Sequence, residues 1–230
     1  MAIDHVSTDT TADAGAGATI VLTLPTGLTS SNVCILTLAS ADPSAGVGDF
    51  TAPSGWTSIN TQITQFAGGG VGVHMWWCLG NNANLTFTKS GAVTWYGATI
   101  AAFSGVNTTT PIDATGTQNS NTGASSLTVN SVTIATNNAW EIFGCADWLD
   151  GTFTATGFTV SQTFGASGAC CGLLYNQTPK STGSTGTVTL NDSAGTSGQL
   201  IIASPFALRP TSSGVAATPD LYSLMGQGWI

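Results

Sequence analysis

Charge is what this sequence has least of. Its 230 residues include 3 Lys+Arg and 11 Asp+Glu, a formal net charge of −8 with 6% of residues charged, against roughly 25% in an ordinary soluble domain. So few cations exclude a nucleic-acid partner, because nothing is present to displace counterions from phosphates. An anionic membrane surface is excluded on the same ground. Glu141 is the only glutamate and His5 and His74 the only histidines, so general acid–base chemistry lacks its usual carriers. No apolar run approaches the roughly 18 residues of a membrane-spanning helix. The opening Met1-Ala-Ile-Asp-His-Val is followed by Asp9 and Asp13 without a Lys or Arg, which is not the pattern of a secretory signal.

The cysteines lack pairing signals. Cys34, Cys78, Cys145, Cys170 and Cys171 are odd in number and show no C-x-x-C spacing, so they read as reduced, mostly buried small hydrophobes. Adjacent residues on a strand face opposite ways, which argues against a Cys170–Cys171 bond. Zinc spacing of His and Cys, a G-x-S-x-G elbow, a Walker loop and G-x-G-x-x-G are all missing, and Gly68-Gly69-Gly70 reads as a hairpin connection. The expectation is no enzyme, no cofactor and no metal.

What is present is β sequence. Hydrophobic residues make up 42% of the chain, with 7 Trp and 9 Phe, too many for a disordered polymer. Runs rich in Val, Ile, Thr and aromatics alternate with Gly, Ser, Asn and Pro clusters, and no amphipathic 3.6-residue pattern develops. Strands are predicted over 19–24, 33–40, 56–66, 72–79, 84–88, 95–103, 126–134, 139–147, 158–164, 169–176, 186–191 and 199–208. The fold class is all-β, an antiparallel, jelly-roll-like sandwich. Its polar surface must be built from Ser, Thr, Asn, Gln and Gly, as on proteins that work outside a cell or on a particle.

The chain also repeats itself. Phe50-Thr-Ala-Pro-Ser-Gly-Trp56-Thr57 recurs as Phe153-Thr-Ala-Thr-Gly-Phe158-Thr159, and Phe50/Phe153, Thr86/Thr189 and Phe103/Phe206 share an offset of 103 residues. A constant offset across three separate runs predicts an internal pseudo-duplication. Residues 1–17 then form an N-terminal arm and 18–209 one pseudo-symmetric sandwich. Its repeats, 18–106 and 125–209, are joined by a polar crossover over 107–124. Residues 210–230 are a Ser/Gly/Ala/Pro linker and a C-terminal docking segment. That segment carries Tyr222, Leu224, Met225 and Trp229, a large apolar surface for a tail. It either folds back on its own domain or docks on a neighbour, and the linker before it favours the neighbour. These four residues are the expected partner interface, with the arm over 4–18 as a second candidate.

The succession Pro53-Ser-Gly-Trp-Thr57, Val73-His-Met-Trp-Trp77, Ser90-Gly-Ala-Val-Thr-Trp95, Ala101-Ala-Phe-Ser-Gly-Val-Asn107 and Pro111-Ile-Asp113 resembles a family of phage-encoded β-sandwich domains in tail, fibre and capsid-surface proteins. The resemblance spans residues 18 to 209. It implies a structural role in a virion, with other virion proteins as partners and no catalytic residues to carry over. Trp76-Trp77 departs from the Tyr-Arg or similar pair of that family. Cytoplasmic synthesis without a signal, followed by work on a particle released by lysis, agrees with composition and cysteines alike. A homo-oligomer, with a trimer as the favoured form, is the expected assembly.

Three weaker readings complete the expectations. His74 reads as structural, on the face opposite Val73 and Met75, and His5 as part of a mobile end. Asp42 and Asp49, with their counterparts Asp147 and Asp150, stand where calcium loops hold oxygen ligands, although Asp more often caps its own turn. Trp56, Trp95, Trp140 and Trp148 could stack a cell-envelope glycan or anchor a core. Trp76 and Trp77 must face opposite ways, so one of them lies outside the core or is covered by a partner.

Overall fold

The computed structural model describes residues 1–13, 19–42, 50–66, 69–89, 95–148, 151–166, 169–193 and 200–212. Among them there is no helix. The first part of the chain forms β1 (Asp4–Asp13), β2 (Thr19–Val21), β3 (Val33–Asp42) and β4 (Phe50–Thr51). It continues with β5 (Thr57–Phe66), β6 (Gly69–Leu79), β7 (Thr86–Lys89) and β8 (Trp95–Ser104). The second part begins with β9 (Ile112–Thr115), β10 (Asn119–Thr122), β11 (Ser126–Val129), β12 (Thr133–Ile134) and β13 (Trp140–Asp147). β14 (Phe153–Ala155), β15 (Thr159–Ala166), β16 (Ala169–Tyr175), β17 (Gly183–Ser184), β18 (Val188–Asp192) and β19 (Leu200–Leu208) complete it.

All strand pairings are antiparallel. The first large sheet runs β1-β8-β3-β6-β5 and is accompanied by a small sheet, β2-β7-β4. The second large sheet runs β10-β19-β13-β16-β15, with β9 also on β19, and its small companion is β11-β18-β14. β12 and β17 pair separately.

The layers follow from which residues each strand buries. In β3, Val33, Ile35, Ala39 and Ala41 join Met75, Phe103, Ile142, Leu173 and Phe206 in a core between the two large sheets. The alternate residues Cys34, Leu36 and Leu38 pack against Ile20, Phe50 and Phe87 of the first small sheet. The second large sheet does the same, with Phe143, Cys145 and Ile201 turned towards Leu127, Phe153 and Leu190. Four layers result, and the central strands of the two middle ones are buried on both faces. That explains why β13 reads Trp-Glu-Ile-Phe-Gly-Cys-Ala-Asp with every residue buried, a pattern without the polar alternation of a half-exposed strand.

Four layers correct the expectation for Trp76-Trp77. Trp76 is 4% exposed in the core beneath the first small sheet, while Trp77 packs against the core between the large sheets. They do face opposite ways, but each way leads into protein. Vicinal Cys170 and Cys171 divide in the same manner between two cores, and all five cysteines are buried and unbridged.

The N-terminal segment also differs from expectation. Residues 4–13, read as an arm, are the edge strand β1, paired with β8 from Asp4 opposite Ser104 to Asp13 opposite Tyr96. The polar crossover likewise contains β9 and β10, laid on the outer edge of β19.

Candidate functional site

One end of the molecule gathers the start of the chain, the crossover and the end of β19. The amide of Asn107 donates to Arg209 O at 2.9 Å, and the amide of Thr211 donates to Gly105 O at 2.8 Å. Val106 bridges to Pro210. Asp113 fastens this junction. Its Oδ2 accepts from the amides of Ala135 at 2.7 Å and Thr136 at 3.0 Å, and its Oδ1 accepts from Arg209 Nε at 3.2 Å. Arg209 Nη1 donates onward to the Thr110 hydroxyl at 3.0 Å. Burial pushes the Asp113 carboxyl up, but the Thr136 hydroxyl, the two amides and the guanidinium outweigh it, and the net direction is down from 3.8.

Three clefts meet at Met1 on this end. The largest, about 430 Å³, is lined by residues that include Ser30, Ser31, Ser104, Thr108 and Thr211. The others, of about 250 and 170 Å³, take in Trp140 and Pro179, and Asn107, Thr136, Asn137 and Asn138. Among the described residues, none of those lining the clefts carries an ionisable side chain. The walls offer a ligand hydroxyl and amide hydrogen bonds over a small apolar floor. The described chain ends at Ser212, in the wall of one of these clefts.

Tyr222, Leu224, Met225 and Trp229 lie outside the described residues. His74 is fully buried on β6, with Val73 and Met75 on the other face. Its Nε2 meets the Ser40 hydroxyl at 3.0 Å, and its ring stacks on Trp76 at 5.8 Å and meets Phe50 edge-on at 5.1 Å. That is a structural histidine, as expected. His5 is not on a mobile end. It is half-buried on β1, because the strand carries it onto Tyr175 and Phe103.

Of the acids considered for calcium, Asp49, Asp150 and the side chain of Asp42 lie outside the described residues. Asp147 is buried, and its Oδ1 accepts the amide of Trp148 at 2.6 Å, the local capping that Asp provides in turns. Among the described residues no group of three His, Cys, Asp or Glu is placed to hold a metal ion.

The tryptophans do not form a platform among the described residues. Trp56, Trp76 and Trp140 are buried; Trp56 also donates Nε1–H to Asn84 O at 2.8 Å. Trp95 and Trp148 are half-buried against the central core and meet edge-to-face at 5.9 Å. The sequence did not single out the pair Lys180–Glu141, 3.7 Å apart with Glu141 almost wholly buried. A lone glutamate inside an apolar strand was the available signal, since a buried carboxylate needs a partner.

No protein-family model, curated protein or solved structure matches the chain.

Proposed function

We propose that this chain is a non-enzymatic structural subunit of a phage particle, on capsid or tail, acting through contacts with other virion proteins and with copies of itself. The observation that carries this reading is how its reactive side chains are used. Lys180 and Arg209 hold Glu141 and Asp113, the imidazoles of His5 and His74 stack on aromatic rings, and every described tryptophan is buried or half-buried. Side chains that would do chemistry elsewhere hold strands together here. The clefts are left with hydroxyls, amides and backbone, which suits docking better than turnover.

Each half reads as a jelly roll. β1 pairs with β8, β2 with β7 and β3 with β6, the nested wrapping of an eight-stranded jelly roll. The innermost pair departs from it, because β5 joins β6 and leaves β4 on β7. The second half nests β10 with β19, β11 with β18 and β13 with β16.

A duplication accounts for the likeness of the halves. Phe50 faces Lys89 and Thr51 faces Thr88; the residues 103 positions later, Phe153 with Asp192 and Thr154 with Asn191, face each other too. The turns before β5 and β15 place Gly55 at φ 86° and Gly157 at φ 82°. Trp56 N reaches Pro53 O at 3.4 Å in the first turn, and Phe158 N reaches Ala155 O at 3.1 Å in the second. A positive φ at the third turn position is the type II requirement that glycine meets. Each following strand then bulges at the same step, between Ser58 and Asn60 and between Val160 and Gln162.

Light scattering on the full chain and on a version ending at Pro210 tests the function. The expected result is a defined oligomer that becomes smaller, yet stays folded, without Tyr222, Leu224, Met225 and Trp229. With so little charge, assembly should change little up to about 0.5 M NaCl. A full chain that is monomeric at every concentration, or an oligomer that salt dissociates, overturns it.

A further inference from the structure

The edges of the two large sheets give the molecule two lateral sides of different character. On one, β1 lies against β15, and the Thr8 hydroxyl meets the Ser161 hydroxyl at 2.5 Å. The sequence of β1 holds Asp4, Asp9 and Asp13 and no cation. On the other side β5 lies against β9. The acid of β9, Asp113, is buried and paired with Arg209. β5 itself reads Thr-Ser-Ile-Asn-Thr-Gln-Ile-Thr-Gln-Phe, ten residues without a charge or a proline.

A sheet edge is a row of backbone donors and acceptors, and proteins block it with charges, prolines or bulges. β1 has carboxylates and a bulge between His5 and Ser7. β5 has only its bulge between Ser58 and Asn60, near its start. Beyond it, Thr61 to Phe66 follow β6 in unbroken register, from His74 to Gly69. That is six residues, about 20 Å of regular edge. The amide of Thr61 donates to Asn60 Oδ1 at 3.0 Å, so this N–H points to the open side and takes no part in the ladder to β6.

We propose that a second copy of this chain pairs antiparallel with β5 through Thr61–Phe66, across a two-fold axis, joining two five-stranded sheets into one continuous sheet. The inference rests on the reading of the chain as a self-assembling structural protein and names the surface it uses. Two features select a second copy. A strand paired antiparallel with its own two-fold image is self-complementary, as an isologous interface must be. Two chains of net charge −8 repel, and β5 is an edge strand whose own sequence brings no carboxylate to the seam. Asn60 Oδ1 holds the Thr61 amide until a carbonyl of the partner replaces it.

The test uses the full chain in a dilution series, by sedimentation and by hydrogen exchange. Thr61→Pro removes an outward N–H while sparing the β5–β6 ladder, and Thr61→Lys places a charge on the edge. Val6→Lys adds the same charge to β1, where Val6 is 45% exposed. Both Thr61 variants should raise the dimer dissociation constant by about tenfold or more, and Val6→Lys should leave it unchanged. In the native chain the amides over 61–66 should gain protection as concentration rises, a readout independent of how the variants fold. An oligomer that survives both Thr61 substitutions, without concentration-dependent protection over 61–66, overturns this surface and leaves the structural reading standing. A chain monomeric at every concentration overturns both.

Discussion

The imidazole of His5 lies stacked on the phenol ring of Tyr175, with 5.0 Å between ring centroids and 19° between the planes. The two residues belong to different large sheets, so the stack closes the central core at its edge. Phe103 completes the cluster, edge-on to His5 at 5.7 Å and to Tyr175 at 5.7 Å. His5 Nε2 also meets the Thr8 hydroxyl at 2.9 Å.

This stack predicts a pH dependence for the hold of β1. Burial lowers the His5 value below 6.5, and the neighbouring Asp4 opposes the shift only in part. Tyr175, the other titratable ring in the stack, is raised by its own burial and is neutral in this range. The folded chain therefore binds a proton at His5 less readily than the unfolded chain. The resulting stability is complete above about pH 6.5 and is lost as pH falls through that value towards the lower folded one. Melting temperatures from pH 7.5 to 5 should fall more for the native chain than for His5→Phe, which keeps the ring and cannot titrate. Parallel curves would refute this.

Asp113 predicts a loss in the same direction, on acidification, but in a lower pH range. Its value is depressed, so its contribution is complete above about pH 4 and is lost as pH falls through the folded value. Asp113→Asn keeps the shape but loses the charge-assisted bonds to two amides and Arg209, which should cost about 1–3 kcal/mol at pH 7. Calorimetry at pH 7 and pH 3 checks it, since the gap between variant and native chain must shrink on acidification. A gap that ignores pH would mean that shape, rather than charge, holds the junction.

Gly144 sets the spacing of the two large sheets. A Cβ there would stand 2.6 Å from Met75 Sδ and 2.9 Å from Thr37 Oγ1, and both neighbours are wholly buried. Gly144→Ala should destabilise by about 1–3 kcal/mol, measured by urea unfolding. Met75→Ala in the same chain should recover part of that loss, a coupling expected only between groups in contact. Strictly additive losses would place the strain elsewhere.

The thiols supply a chemical test of the layered packing. All five are buried, and burial, the largest cause, pushes the Cys145 thiol well above 9.0. A thiol reagent should titrate none of them promptly in the native chain and all five in denaturant. Prompt reaction of even one would contradict the burial of all five.

Much of the fold was legible in the sequence because runs dense in Val, Ile and aromatics have few alternatives to strand. The run predicted over 95–103 is β8, and that over 139–147 is β13, each within a residue. β1 was missed because Asp-His-Val-Ser-Thr-Asp-Thr-Thr-Ala-Asp is polar enough to pass for an arm, and an edge strand needs few apolar residues. β9 and β10 escaped notice in the polar crossover for the same reason. Trp76-Trp77 misled because a strand of an ordinary sandwich meets solvent on one face, whereas β6 meets protein on both. The near-continuous apolar run Trp-Glu-Ile-Phe-Gly-Cys-Ala of β13 was the counter-signal, since a strand hydrophobic on both faces needs cover on both.

The partnership of β1 with β8 also fixes an order of events during synthesis. Asp4 meets its strand partner at Ser104, a hundred residues later, so at about 5–20 residues per second the strand waits roughly 5–20 s for its place in the sheet. Pairings this distant in sequence close slowly even in the finished chain. During that interval the segment is an unpaired ribbon beside other nascent chains. Charges on an unpaired strand disfavour pairing with another chain, and this segment carries three aspartates.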